Sequence, residues 1–183
     1  MNKLAQIWVE TVIYTLIGLV IIGTTLAFVK PKIQEVQDQA VIEQTIEIMR
    51  YIDSVVSEIT RGGEGNTRIV EIGIKKGNLK FDSNSDSIIF TLSESKSMYS
   101  EPGRTIKDGN INILTEKKGS KVYDVTLTLD YTNKYNLQYD NSEVEAKTIT
   151  KAPIPYKVKL ENNGVEPSAP ADTPIKININ VVS

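Results

Sequence analysis

Apolar residues in this chain follow three successive patterns. From Ile7 to Val29 almost every position is apolar, broken only by Glu10, Tyr14 and a scatter of threonines and glycines. About 23 residues at ~1.5 Å rise give roughly 34 Å of helix, enough to cross the hydrocarbon core of a bilayer. Lys30-Pro31-Lys32 then closes the run with charge. Helical spacing resumes beyond it. Val41, Ile48, Ile52, Val55 and Ile59 recur at intervals of three, four and seven, and Ile42, Ile46, Met49 and Val56 form a second seam. Pro31 removes one backbone hydrogen bond and is expected to kink the rod, and Gly62-Gly63 is the natural stop. Two seams need two surfaces. Either one faces neighbouring chains, or both face this chain's own domain.

From Thr67 the period changes to two. Val70, Ile72 and Ile74 alternate with polar neighbours, as do Val125, Leu127, Leu129 and Tyr131, then Tyr156, Val158 and Leu160, then Ile175, Ile177, Ile179 and Val181. Lys76-Gly77-Asn78, Lys118-Gly119-Ser120 and Asn162-Asn163-Gly164 read as turns between such runs. Val165 to Pro174 contains three prolines and reads as an exposed loop before the last strand. About seven or eight short strands of this kind predict an antiparallel β-sandwich. The fold class is therefore α+β, with a long N-terminal helix over 6–62, membrane-spanning over 7–29 and then amphipathic, followed by a β-sandwich head over 66–183.

Composition narrows the function. The chain of 183 residues has no cysteine and no histidine, which excludes disulfides, thiol nucleophiles, Cys/His metal sites and the usual neutral-pH base. Its formal net charge is −2 with both signs mixed along the chain, so no basic stripe for nucleic acid is present. Asp82-Ser83-Asn84-Ser85-Asp86 resembles the start of a calcium loop, but Ser87 and Ser93 stand where glycine and glutamate belong, and a polar hairpin loop explains it better. Ser93-Glu94-Ser95-Lys96 matches a Ser-x-x-Lys pattern without its companion motifs. Tyr131, Tyr135, Tyr139 and Tyr156 suit either a carbohydrate platform or amphipathic positions at sheet edges. No catalytic residue, cofactor or metal site is called for, and an enzyme is not expected.

Glu10 asks for an explanation. A carboxylate at the centre of a membrane helix costs on the order of 2.5–3.5 kcal/mol, less near the interface, where the side chain can reach water. Lys3-Leu4-Ala5 followed by Gln6-Ile7-Trp8-Val9-Glu10 resembles the processing region of type IV pilin precursors, most closely the archaeal pilin-like proteins that begin with Gln and carry Glu four residues on.

The resemblance implies a leader peptide over 1–5, cut between Ala5 and Gln6 by a prepilin peptidase. It also implies that the freed amino group of Gln6 pairs with Glu10 of a neighbouring subunit. Thr11, Thr15 and Gly18 share one face, a stripe of small residues that lets helix backbones approach closely. The implied protein is a structural subunit of an extracellular filament, single-pass in the membrane as a precursor and built by the pilus assembly machinery. Its partners are then copies of itself, the membrane and that machinery.

Two other readings remain open. A non-polymerising, membrane-anchored β-sandwich binding protein would keep the span and leave Glu10 snorkelling. A secreted domain would be cut after Thr25-Leu26-Ala27, before Phe28.

Overall fold

The computed structural model describes residues 3–166, 168, 170 and 172–182, with side chains from Ile7 onward. A single helix, α1, runs from Lys3 to Arg61, 59 residues, and Pro31 lies inside it. Gly62 donates to Glu58 O at 3.0 Å and Gly63 turns left-handed with φ 87°, so the glycine pair ends the helix as expected.

Ten strands follow: β1 (Thr67–Ile72), β2 (Asn78–Asp82), β3 (Ser87–Ser95), β4 (Thr105–Asp108), β5 (Ile111–Gly119), β6 (Val122–Asp130), β7 (Tyr135–Tyr139), β8 (Ala146–Thr150), β9 (Tyr156–Gly164) and β10 (Ile175–Val182). They form a four-stranded sheet in the order β1-β9-β10-β7 and a six-stranded sheet in the order β4-β5-β6-β3-β2-β8. The class is α+β, with antiparallel-rich sheets after one long helix.

Three details differ from the sequence expectation. Ten strands form rather than seven or eight, because β2, β4, β7 and β8 are only four or five residues long and too short to show a period. β7 pairs with β10 in parallel, Ile175 opposite Tyr135, an arrangement that needs the long crossover through β8 and β9. Asn162-Asn163-Gly164 is the end of β9 and not a turn between strands. Lys76-Gly77 lies in the β1–β2 connection, and Lys118-Gly119 ends β5 with the turn itself at Ser120 and Lys121. Gly77 has φ 85°, and a Cβ there would stand 2.6 Å from Phe90 Cζ, so only glycine fits. The β9–β10 connection over 165–174 contains no strand among its described residues, and Pro167 lies outside them.

The helix supplies part of the core. Ile42, Ile46, Met49, Ile52, Val55, Val56 and Ile59 are all buried, and they join one cluster with Leu79, Phe90, Leu127, Leu160 and Ile177 from both sheets. Both apolar seams of α1 therefore face this chain's own head, and the expectation that one of them waits for neighbouring chains is corrected over this stretch. The two seams lie about 100° apart, which is the width of a single core-facing stripe.

Tyr131 is likewise core and not platform. It is 1% exposed, stacks tilted against Tyr135 at 5.5 Å, and its hydroxyl donates to Asp53 Oδ1 on α1 at 3.0 Å. Burial, reinforced by Asp53, pushes the phenol well above its ordinary value. Asn110 Nδ2 donates to Asp53 Oδ2 at 2.7 Å, so one helix carboxylate ties down the β4–β5 turn and the end of β6. Removing the hydroxyl with Tyr131→Phe strips a bond to a charged acceptor, and chemical denaturation should show a loss of about 1–2 kcal/mol at unchanged slope.

Candidate functional site

The free N-terminal arm of α1 is the part of the chain that its own fold leaves uncovered. Between Ile7 and Gln37 no side chain is buried, and Gly18 and Glu35 alone are partly so. At ~1.5 Å per residue this arm is about 46 Å long. Among the described residues α1 is the one helix long and apolar enough to cross a membrane.

Local chemistry adapts the arm to an apolar surrounding. Thr11 Oγ1 donates to Ile7 O at 2.9 Å and Thr15 Oγ1 to Thr11 O at 2.8 Å, and Thr24 and Thr25 bond back in the same way to Val20 and Ile21. Each hydroxyl is thus satisfied within its own helix and asks nothing of lipid or of a neighbour.

Thr11, Thr15 and Gly18 stand at i, i+4 and i+7, on one face, and nothing approaches within 4 Å of where a Gly18 Cβ would be. Glu10 lies beside it, exposed, without a cationic partner among the described side chains. The helix runs unbroken through the Ala5–Gln6 bond. Pro31 cannot donate to Ala27 O, which leaves that carbonyl free where the arm passes from its apolar run towards the head.

Apolar exposure does not stop at the charged residues around Pro31. Ile33 is 51% and Val36 67% exposed, and with Phe28 and Val29 they line a shallow apolar surface of about 440 Å³. The arm enters the head at Asp38, a residue the sequence reading passed over. It is 2% exposed, takes Lys76 Nζ at 2.5 Å on Oδ1 and the Lys96 N–H at 2.8 Å on Oδ2. Its signal was there to find. Asp38 lies on the same face as Ile42, Thr45 and Met49, so a charge on the buried stripe required a partner.

The polar motifs of the head lie within a hairpin turn and a strand. Asp82 to Asp86 is the β2–β3 hairpin with one 3-10 turn at Ser83–Ser85. Lys80 Nζ bonds Asp82 Oδ2 at 2.5 Å and holds that carboxyl below its ordinary value. Asp86 sits left-handed with φ 46°, and its Oδ1 accepts the Leu137 N–H at 2.8 Å. Ser93 and Ser95 belong to strand β3, not to the start of a helix.

Burial raises the Asp86 carboxyl, outweighing the Leu137 bond that lowers it. The folded state therefore binds more protons than the unfolded one, and this group's contribution to stability falls as pH rises from its unfolded value through its raised folded value. Asp86→Asn keeps an acceptor for Leu137, suits the left-handed backbone and removes the partly buried charge. We expect a rise in Tm on the order of 2 °C at neutral pH and none at pH 3, measured by calorimetry.

No protein-family model, curated protein or solved structure matches this chain. What stands on its own is the outline: one long apolar N-terminal helix followed by a β-sheet head, the general architecture of type IV pilins.

Proposed function

We propose that this chain is a structural subunit of an extracellular filament of the type IV pilus kind, assembled through the exposed arm of α1. One observation carries the reading: some 46 Å of helix offers apolar surface that its own head does not cover, with Glu10 as the single charge between Ile7 and Val29. A bilayer accounts for the stretch up to Val29. Ile33 and Val36 lie past Lys30 and Lys32, beyond the hydrocarbon core, and a bundle of neighbouring arms covers both.

In this proposal the precursor sits in the membrane with one span and its head outside. A prepilin peptidase cuts between Ala5 and Gln6, and assembly machinery moves the arm from lipid into the filament core. The amino group of Gln6 meets Glu10 of an adjacent subunit and sets the axial register, the stripe at Thr11, Thr15 and Gly18 packs closely, and Pro31 gives the rod its bend. The heads form the outer surface, and no enzymatic step is assigned to them.

The test is the mass of the mature chain together with mechanical shearing of cells that express it. Loss of Met1 to Ala5 and recovery of the chain in sheared filaments are expected. A full-length chain that stays with the membrane fraction would favour the non-polymerising anchor, and a chain starting at Phe28 would favour a secreted domain.

A further inference from the structure

Where α1 leaves the head, the foot of the β-domain forms a cleft of about 900 Å³. Gln34, Gln37 and Gln44 of the helix make one wall. The other carries Lys75 and Lys76 from the β1–β2 turn, Lys96 just past β3 and Lys151 just past β8. Two carboxylates share the space. Asp38 is already engaged by Lys76 and by the Lys96 N–H, and Glu94 stands exposed at the rim. Positive charge is in surplus there, although the whole chain has a formal net charge of −2. The surplus belongs to this end of the head and not to the protein at large.

Its position relative to the span is set by the helix. Gln34, at the mouth of the cleft, lies about 8 Å past Val29 along the axis, and Asp38, which holds the Lys76 ammonium, lies about 14 Å past it. The headgroup layer is roughly 5–8 Å deep on each side of a bilayer, so the Lys76 ammonium stands within about one Debye length of the membrane surface. A second feature points the same way. The loop after Lys151 presents Ile154, 76% exposed between two prolines, at the same foot. The Ala152 N–H donates to Ile74 O at 3.2 Å and fastens this loop beside the Lys75–Lys76 turn.

We propose that this foot is a docking surface for anionic lipid headgroups, which seats the head on the membrane while α1 spans it. Lysines in the cleft take phosphate oxygens, and Ile154 dips into the interfacial layer. The inference needs only the span, and it holds whether or not the chain polymerises.

The experiment reconstitutes the full chain at low density into vesicles of phosphatidylcholine alone or with about 30 mol % phosphatidylglycerol. A membrane-impermeant amine-acylating reagent then reports each lysine by peptide mapping. Lys134, exposed in the β6–β7 turn at the other end of the head, is the internal reference. Lys75 and Lys151 should react about fivefold more slowly in the anionic vesicles, with the protection lost at about 0.5 M salt. The exposed pair of substitutions Lys75→Gln and Lys151→Gln should reduce the protection of Lys96 without unfolding the head. Equal rates in the two lipids would overturn the proposal. So would protection that ignores lipid charge and grows with protein density, which would assign the cleft to an acidic surface of a second copy.

Discussion

Glu10→Ala should abolish assembled filaments while leaving the precursor in the membrane and its head folded. Insertion cannot suffer, since removing a carboxylate from an apolar span relieves a cost of up to about 3 kcal/mol. The head cannot suffer either, because Glu10 lies in the arm, far along α1 from the first residue that touches the core. Assembly is different. In the proposed filament the freed amino group of Gln6 is enclosed by apolar side chains, and leaving such a charge without its partner costs about 3–5 kcal/mol per subunit. At roughly 1.4 kcal/mol per factor of ten, each addition step weakens by at least a hundredfold. Sheared filaments, quantified against total cell content of the chain, should fall below detection. Glu10→Gln, which keeps an acceptor but no charge, should retain a small fraction of them. Abundant normal filaments from Glu10→Ala would remove the charge pairing from the account, while mature chain of the correct mass would still leave cleavage at Ala5 intact.

The parts of this molecule that were legible in its sequence are those where one period holds over a long stretch. The apolar run to Val29, the amphipathic helix to Ile59 and the alternation in β1, β6, β9 and β10 each repeat often enough to be read locally. The short strands were not, since β8 buries only Ile149 and β4 leaves no residue fully buried. Nor could periodicity say which surface each seam of α1 meets. Ile48 and Ile46 look alike as members of a stripe, and only the packing of the two sheets shows that a single broad face serves both. Tyr131 continues the inward-facing alternation of Val125, Leu127 and Leu129, so its burial follows from spacing, but spacing does not show that its hydroxyl meets a helix carboxylate 78 positions away. On the arm the balance reverses. Glu10, Thr11, Thr15 and Gly18 are set against one another by helical geometry alone, so their arrangement could be read from spacing.

Asn162 shows the limit most sharply, and its replacement carries the largest expected effect on the stability of the head. The dipeptide Asn162-Asn163 before Gly164 has the composition of a turn. In the fold Asn162 is 2% exposed and closes the crown of the head with four hydrogen bonds. Its Nδ2 donates to Ile59 O at 3.1 Å, satisfying one of the last carbonyls of α1, and its Oδ1 accepts the Gly164 N–H at 2.8 Å. Its backbone N–H donates to Asn66 O at 3.0 Å, and its carbonyl accepts the Gly65 N–H at 2.8 Å. Asn162→Ala spares the backbone pair and strands the two groups that the side chain served. Each buried orphan costs about 1–3 kcal/mol, so we expect a loss of about 3 kcal/mol and a fall in Tm of roughly 10 °C for the full chain in detergent. Asn163→Ala is the matched control. Its side chain reaches only Gln138 Oε1 and Asn141 Oδ1, at 3.3 and 3.2 Å, towards the surface, and its loss should stay within about 0.5 kcal/mol. Hydrogen exchange distinguishes the two further. Because Asn162 holds the end of α1 to β9, amides of the last helical turn before Arg61 should exchange faster in Asn162→Ala, while those around Met49 follow only the global loss. Equal effects of the two substitutions would mean that the helix end is held by the packing of Val56 and Ile59 alone.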